Sequence, residues 1–334
     1  MTIDLTLIWA GIIAFAVFMY VLMDGFDLGV GILFPWAPRD RDRDLMMNSV
    51  APIWDGNETW LVLGGGGLLA AFPLAYAIIL PALYLPLLVM LIALIFRGVA
   101  FEFRFKANTS RHWWDKAFHF GSLIATFAQG VSLGAFIQGF EVSGRDYAGG
   151  ALDWLSPFSL LTGCGLVAGY ALLGAGWLIL KTEDRLQDWA YAVAKPILLV
   201  VLLFVALVSA STPLAEHDIA RRWFSWPNIL YLSPVPLITV ALGVALWRAL
   251  SRRHERQPFA LTMGLFALSY LGLAISLWPN IVPPDITIWQ AAAARESQIF
   301  MLIGAAFLVP TLVGYIGYSY WVFRGKVRAD IGYH

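Results

Sequence analysis

Long apolar runs recur along the whole of this 334-residue chain, and they constrain its fold more than any other feature. Each run reaches about 18 or more residues, which is enough for one helix to cross a bilayer. Only 13% of the residues are charged, whereas an ordinary soluble domain carries about 25%. The polar surface that a soluble protein of this size needs is therefore missing. The sequence predicts an all-α, polytopic membrane protein.

Hydropathy and length together predict nine membrane spans. They cover residues 5–35, 49–71, 73–101, 117–139, 157–180, 191–211, 228–250, 259–279 and 297–323. The joint at Ala70–Pro73 is short enough to force an antiparallel hairpin between the second and third spans. No linker is long enough to mark a soluble domain, so we expect residues 1–334 to form a single integral membrane domain.

The distribution of Lys and Arg predicts the orientation of the chain. Of the 22 basic residues, 18 fall in or beside one set of joints, and only Arg145, Arg221, Arg222 and Arg295 fall on the opposite side. Basic residues mark the cytoplasmic side of a membrane protein. We therefore expect the N-terminus outside and the C-terminus inside, as an odd number of spans requires. The net charge of zero gives no indication of a nucleic-acid partner.

Five carboxylates lie in or beside the first three spans, toward the predicted cytoplasmic side. They are Asp24, Asp27, Asp55, Glu58 and Glu102. The two in the first span are three residues apart and share a helix face, as do the two in the second span. We therefore expect all five to converge at one depth. Charges within spans are costly and by default indicate function.

Two interpretations of this acidic group remain open. A carboxylate in a low-dielectric environment can exchange protons near neutral pH, so the group predicts a path for proton entry from the cytoplasm. In the alternative, Arg97 or Arg104 forms a structural ion pair with one or two of the acids, and the others cap helix ends. Trp54 and Trp60 flank the acids of the second span, either as packing or as the lining of a quinone or gas path.

Glycines punctuate two of the spans, with an unbroken run at Gly64–Gly67 in the second and a series from Gly163 to Gly176 in the fifth. Small residues allow helix backbones to approach closely in lipid, and close packing is the favoured interpretation. The alternative is a flexible break at a ligand site, as transporters have.

Candidate ligands for a metal or a haem are scarce. Of the five histidines, only His119 lies near a span, and no two histidines face each other across helices. A haem in a membrane bundle needs such a ligand. The single cysteine, Cys164, excludes an intramolecular disulfide and a cysteine metal cluster. The sequence therefore predicts no catalytic residue, bound cofactor or metal in this chain.

Four motifs resemble those of one known family. The segments are Asp24–Gly29 (DGFDLG), Asn48–Leu61 (NSVAPIWDGNETWL), Phe96–Arg104 (FRGVAFEFR) and, more weakly, Gly169–Gly174 (GYALLG) with Lys181 and Thr182. The chain thereby resembles subunit II of the cytochrome bd-type quinol oxidases. The long second motif is the most specific of the four.

The resemblance implies a haem-free subunit that assembles with a haem-bearing subunit I, where haem b, haem d and the quinol site reside. It also implies two four-helix bundles with one extra, peripheral helix, located in the bacterial cytoplasmic (inner) membrane. The reaction of the complex would be oxidation of quinol by O2, which yields water and takes its protons from the cytoplasm. Some relatives also contain a structural quinone, an oxygen channel or a small accessory subunit.

Two positions of the motifs match acids on the family's proton path at the subunit interface, namely Asp55 and Glu102. Several relatives have aspartate at the second position, so the carboxyl group is displaced here by about one methylene. Some relatives have Gln-Val at the positions of Glu58 and Thr59, so Glu58 is an additional acid.

Two other classes of function compete with this interpretation. Embedded acids and the Gly64–Gly67 run suit a proton-coupled membrane transporter, although the two halves of the chain lack paired broken segments. A purely structural membrane subunit differs from the oxidase subunit only in whether Asp55 and Glu102 move protons.

Overall fold

A computed structural model describes residues 4–327. Arg328 and His334, which entered the survey of basic residues and histidines, lie outside the described residues. The α-helices are α1 Leu5–Leu33, α2 Asp40–Val50, α3 Trp54–Ala71, α4 Pro73–Ala82, α5 Tyr84–Phe103, α6 Arg111–Gln138, α7 Pro157–Lys181, α8 Asp184–Ala215, α9 His217–Phe224, α10 Asn228–Leu232, α11 Pro234–Ser251, α12 Gln257–Leu277, α13 Ile288–Ala291 and α14 Arg295–Val322.

Short elements decorate the loops between these helices. A 3-10 turn at Phe34–Trp36 follows α1. Strands β1 (Val142–Ser143) and β2 (Asp146–Tyr147) form one antiparallel hairpin. Strands β3 (Asn280–Val282) and β4 (Ile286–Thr287) form a second one.

Side-chain caps start several of the helices where the sequence changes from polar to apolar. The Asp4 carboxylate accepts hydrogen bonds from the backbone N–H groups of Thr6 and Leu7, at 3.0 and 3.2 Å. Ser156 and Ser159 form a reciprocal capping box at the start of α7. Such caps satisfy N–H groups that have no partner within the helix.

Eight helical segments in the described part of the chain are long and apolar enough to cross a membrane. The all-α, polytopic membrane fold is therefore confirmed. The second predicted span, 49–71, starts later in the structure than predicted and is more polar than the eight apolar segments. Its counterpart α3 begins at Trp54, after a break at Ala51–Ile53, and its first turns hold Asp55, Asn57 and Glu58. Its 18 residues reach about 27 Å at 1.5 Å per residue, but these polar side chains exclude it from the eight apolar segments.

The helices are arranged as two bundles of four and one outer helix. The third predicted span is formed by α4 and α5 together, divided at Leu83 between Pro81 and Pro86. The first bundle contains α1, α3, the α4–α5 pair and α6, whereas the second contains α7, α8, α11 and α12, and α1 packs on α7 between them. The peripheral α14 packs against α3 and α1. This arrangement matches the predicted fold.

Glycines bring the two bundles into backbone contact. A Cβ atom at Gly29 of α1 would lie 2.8 Å from the backbone nitrogen of Gly174 on α7, so only glycine fits. The run at Gly64–Gly67 behaves differently, because α3 continues as a helix through it. Gly67 faces Ile13 on α1, whereas Gly65 and Gly66 face open space. The alternative of a flexible break there is wrong.

Both ends of α14 are attached to earlier parts of the chain. At its start, Trp9 Nε1 of α1 donates to the backbone oxygen of Gln298, at 3.1 Å. Beyond its end, Val327 N donates to Lys181 O at 2.8 Å, and Lys326 forms an ion pair with Glu255 at 3.0 Å. The hydrogen bond from Lys326 holds the pKa of the Glu255 carboxyl below its usual value.

Candidate functional site

Arg97 of α5 is surrounded by three of the five predicted acids. Its Nη2 atom lies 2.9 Å from Asp24 Oδ1 and 3.9 Å from Asp27 Oδ2, both on α1. Its Nη1 atom donates to Glu58 Oε1 of α3 at 3.3 Å. We call these four residues the carboxylate–arginine cluster. It joins α1, α3 and α5 through one guanidinium group.

The carboxylate–arginine cluster is closed to solvent on most sides. The side chains of Asp24, Asp27 and Arg97 are 0% exposed, whereas that of Glu58 is 22% exposed. Glu58 is therefore the member through which this cluster approaches the surface of the chain.

Two residues from distant parts of the sequence extend the cluster. Asn57 Nδ2 donates to Asp27 Oδ2 at 2.7 Å, and the Asn57 side-chain oxygen accepts a hydrogen bond from Tyr320 Oη of α14 at 3.0 Å. The prediction named neither residue as a site residue. Asn57 lies within the second sequence motif, which offered a signal, but nothing in the sequence indicated Tyr320.

The two tryptophans near the cluster lie in different environments. Trp54 stacks on Phe101 at 4.8 Å between ring centroids, and the Arg97 guanidinium lies 5.9 Å from the Trp54 ring. Aromatic faces attract a cation at such distances. Trp60 is 0% exposed and packs in a small apolar group with Tyr20 and Ile316. Trp54 thus lies beside the arginine of the cluster, whereas Trp60 packs against Tyr20, one helical turn from Asp24.

The predicted convergence of all five acids is wrong for Asp55 and Glu102. Both are exposed, and Glu102 pairs with Lys106 one turn later, at 3.4 Å. The buried face of α3 carries Asn57, Trp60 and Gly64. Asp55 precedes Asn57 by two residues, which places it about 200° around the helix and therefore on the outer face. Glu102 is displaced from Arg97 by about 140° for the same reason.

Arg104, the second predicted ion-pair residue, forms a different group at the end of the bundle that carries α2, which we call the α2 end. Its Nη1 atom lies 2.7 Å from Asp44 Oδ1 of α2, and its Nε atom lies 2.5 Å from Asp115 Oδ1 of α6. Arg111 also pairs with Asp44, and Arg43 lies 3.6 Å from Asp115. We call these five residues the Arg104 cluster.

Several buried polar atoms around Asp24 have no hydrogen-bond partner among the described residues. They are Tyr20 Oη, both carboxylate oxygens of Asp24, Asp27 Oδ1, Trp60 Nε1, Arg97 Nε and Nη2, and Tyr170 Oη. Arg97 Nη2 and Asp24 Oδ1 are at ion-pair distance, but their angles are not those of a hydrogen bond. Buried polar groups normally have partners, so this concentration needs a physical reason.

The surroundings of His119 and the placement of possible metal ligands bear on cofactor binding. His119, the one histidine near a span, has its Nδ1 atom 3.1 Å from the backbone oxygen of Gly31. Within residues 4–327, no group of three or more His, Cys, Asp or Glu side chains is placed to hold a metal ion. A single side chain can serve as an axial haem ligand, so this result concerns metal ions alone. We derive no chemical step through a haem in this chain.

Comparison with known proteins gives one consistent result. Residues 5–323 match the family described as cytochrome bd terminal oxidase subunit II. The chain is 29% identical to the cytochrome bd-I ubiquinol oxidase subunit 2 of Escherichia coli K12, over 98% of this chain and 96% of that protein. It is also 29% identical to the cytochrome bd ubiquinol oxidase subunit 2 of Bacillus subtilis, over 96% of each.

A solved structure has a similar fold. A chain of the bd oxidase from Geobacillus thermodenitrificans superimposes with a TM-score of 0.76, covering 96% of this chain and 99% of that one. Their sequences are 17% identical. The likeness at this level of identity concerns the fold.

Proposed function

Because this chain belongs to the cytochrome bd terminal oxidase subunit II family, we propose that it acts as the haem-free second subunit of a terminal quinol oxidase. The observation that carries this function is the family match, which runs from residue 5 to residue 323. The chain is thus a non-haem subunit of an oxidoreductase in the respiratory chain. It is a multi-pass protein of the inner membrane, and its partner is another oxidase subunit.

The finer assignment is that the partner carries haem b and haem d and the quinol site, so that this chain supplies no redox group. It rests on the family. We also assign the α2 end to the cytoplasm and the N-terminus to the periplasm, because most Lys and Arg residues lie at the α2 end. A small accessory subunit, bound lipid and a structural quinone stay predictions.

The outer face formed by α3 and α14 is the surface on which we place the partner subunit. Within residues 4–327 and apart from the backbone of its own helix, a Cβ atom at Gly65, Gly66, Gly304, Gly314 or Gly317 would meet no atom within 4 Å. On the same face of α3, Val62 is 73% exposed. Small residues on the surface of a membrane helix allow a second helix to approach closely. A partner there would also cover the exposed carboxylate of Asp55.

The proton path follows from this placement. Asp55 and Glu102, exposed on this chain, would lie at the interface with the partner, as the resemblance implies. The half-buried Glu58 lies between that surface and the inner acids Asp24 and Asp27. We propose that the outer pair passes protons from the cytoplasm toward the partner and that the inner acids adjoin this path.

The proton-coupled transporter is the weaker alternative. Two features supported it, the embedded acids and the glycine run, and α3 is a continuous helix through that run. The purely structural subunit is separated from our proposal by whether the exposed acids move protons.

A purification from the native membrane tests the proposed function. We expect an affinity-tagged chain to co-purify with one larger membrane subunit, with haem bands in the visible spectrum and with quinol-dependent O2 uptake. Mass spectrometry identifies the partner. The double variant Gly65→Leu with Gly66→Leu tests the proposed interface, because its larger side chains fill the α3 face and should reduce co-purification. A lone, colourless chain that binds no partner would contradict the proposal.

A further inference from the structure

The carboxylate–arginine cluster has an unbalanced charge. Three carboxylates, from Asp24, Asp27 and Glu58, lie within 4.0 Å of Arg97, and no other basic side chain within residues 4–327 lies that close to any of them. With every group ionised, the cluster would carry two uncompensated negative charges. Burying an uncompensated charge is far more costly than burying a neutral carboxylic acid. Binding protons neutralises this surplus charge at the lowest cost in free energy.

Two tyrosine hydroxyl groups lie beside the most enclosed acid. Tyr20 is one helical turn from Asp24 on α1 and is 3% exposed, whereas Tyr170 of α7 is 0% exposed. The Tyr170 ring lies against Gly25, the residue after Asp24, because a Cβ atom there would be 2.7 Å from the ring. Neither hydroxyl has a hydrogen-bond partner among the described residues. The two hydroxyls and the Asp24 oxygens therefore offer donors and acceptors in one place.

We infer that the carboxylate–arginine cluster is a hydrated proton-holding site, which binds at least one excess proton and an ordered water between Asp24, Tyr20 and Tyr170. The proton converts one carboxylate of the cluster to a carboxylic acid. The water supplies hydrogen bonds to the hydroxyls and to the carboxylate oxygens. Ordered internal waters typically make about three such bonds.

The titratable groups that face this site come from five helices. They are Tyr20, Asp24 and Asp27 on α1, Glu58 on α3, Arg97 on α5, Tyr170 on α7 and Tyr320 on α14. Among them only Arg97 is basic, so each further ionised carboxylate adds a negative charge that no second base of this group compensates. A bound proton removes part of this surplus.

A small cavity lies beside Tyr320 of α14 and Ser49 of α2. It measures ≈ 30 Å³ and is lined by residues that include Ser49, Lys181 and Tyr320. A water molecule needs about 10–15 Å³ of such space and several polar neighbours, and the cavity offers both. Tyr320 also bonds to Asn57, which bonds to Asp27. The residues that line this cavity are thus joined to Asp27 through the hydrogen bonds of Tyr320 and Asn57.

This inference adds a proton-binding site to the proposed function. It depends on the proposed proton path only for where the bound proton goes next. A purely structural alternative uses the same residues, with all three acids ionised and Arg97 as a fixed tie. The two differ in one observable, which is whether the cluster contains a protonated carboxyl group that exchanges with water.

Infrared spectroscopy of the intact complex in lipid nanodiscs tests the inference without turnover. We expect a protonated-carboxyl C=O band at neutral pH that shifts in D2O. Asp24→Asn or Asp27→Asn should remove or displace that band, whereas Asp55→Asn should leave it. Asp27→Glu, which keeps a carboxyl group, should restore it at a changed position. Assembly of each variant is checked by the haem spectrum of the co-purified partner.

The hydroxyl groups give a second readout in nearly isosteric variants. Tyr20→Phe and Tyr170→Phe should slow the exchange of the band in D2O, because each removes a partner of the water. The matched control is Tyr191→Phe, since Tyr191 is also buried with an unpartnered hydroxyl but lies on α8 in the second bundle. Wild-type exchange in both tyrosine variants would overturn the inference. A carboxyl band that stays unchanged in Asp24→Asn, Asp27→Asn and Glu58→Gln would also overturn it.

The infrared test of the proton-holding site and the activity test of the proton path can fail separately. A band that is lost in Asp27→Asn while quinol-dependent O2 uptake persists supports the proton-holding site and argues against its place on the path. Loss of O2 uptake in Asp55→Asn with an unchanged carboxyl band supports the proton path. The unchanged band is also the control result that the proton-holding site predicts.

Discussion

The carboxylate–arginine cluster and the Arg104 cluster use the same kind of side chain on the same helix with opposite charge balance. Arg97 and Arg104 are seven residues apart, so both project from one face of the α5 end. Their side chains are 0% and 1% exposed. Arg97 meets three carboxylates, whereas Arg104 shares two carboxylates with Arg43 and Arg111.

The difference shows that the burial of an arginine does not by itself reveal its role. In the Arg104 cluster the positive charges satisfy the acids, so the group fastens α2, α5 and α6 together and needs no proton. In the carboxylate–arginine cluster the acids outnumber the base, and the surplus has to be neutralised. The ratio of acids to bases, together with access to solvent, distinguishes a purely structural ion-pair group from a site that can hold protons.

The largest effect should come from removing the single base of the buried cluster. Arg97→Gln leaves buried carboxylates without a cation, and removing one partner of a buried pair costs about 3–5 kcal/mol. We expect a large drop in the yield of the complex and in its thermal unfolding midpoint. Arg97→Gln combined with Asp24→Asn should recover part of the loss. Wild-type stability of the single variant would erase the contrast between the two clusters.

The next effect concerns the exposed acids. Asp55→Asn and Glu102→Gln should each reduce quinol-dependent O2 uptake by about tenfold or more, since a positioned proton-transfer group contributes on the order of 10²–10⁴-fold. Asp40→Asn, an equally simple change at an exposed acid of α2, serves as the control. Unchanged uptake in both path variants, measured in assembled complex, would favour the purely structural subunit.

Removing the second arginine should cost less than removing the first. In Arg104→Gln the carboxylates of Asp44 and Asp115 keep Arg111 and Arg43 as partners, so the loss is that of charge-assisted hydrogen bonds, about 1.5–3 kcal/mol. The comparison is made by unfolding midpoints of the two variants side by side. An Arg104→Gln variant that is less stable than Arg97→Gln would reverse the proposed ranking.

A smaller effect is expected from the hydrogen bond that joins α14 to the buried cluster. Tyr320→Phe removes the donor to Asn57 and should lower the free energy of unfolding by about 1 kcal/mol. Tyr318→Phe is the matched control, because Tyr318 is 64% exposed on the same helix. Equal midpoints for the two variants would show that Asn57 does not depend on Tyr320.

The smallest effect belongs to the partly exposed ion pair of Lys326, which lies beyond α14, with Glu255. This pair serves as a reference for both clusters. The pKa of Glu255 is lowered by Lys326, so the pair stabilises the attachment above the usual carboxyl pKa and loses this contribution as the pH falls through the lowered value. Glu255→Gln should change stability by less than about 1 kcal/mol at neutral pH. Limited proteolysis of the tail, compared at neutral and acidic pH, measures it.

The sequence was a good guide to the membrane helices and to part of the site. Apolar runs define spans because every backbone group must be satisfied inside lipid. The three-residue spacing of Asp24 and Asp27 placed both on one face, and both contact Arg97. Other features needed the packed structure. The face that α3 turns inward is set by contacts with α1, and this separates Asp55 from Glu58. The contribution of Tyr320 depends on a contact across 263 residues of chain.

Two predictions remain open. The assignment of residues 1–334 to one membrane domain stays a prediction, and the roles of the five acids, the two arginines and the two tryptophans stay proposals.

The bond between Tyr320 and Asn57 also has a consequence for biosynthesis. The ribosome makes Asn57 early and Tyr320 near the end, so the Asn57 amide enters the membrane long before its final partner exists. Until α14 inserts, water or the insertion machinery must satisfy that amide, and the side of α1 that faces α14 stays uncovered. A chain released too soon would thus lack the hydroxyl group that pairs with Asn57 in the complete protein.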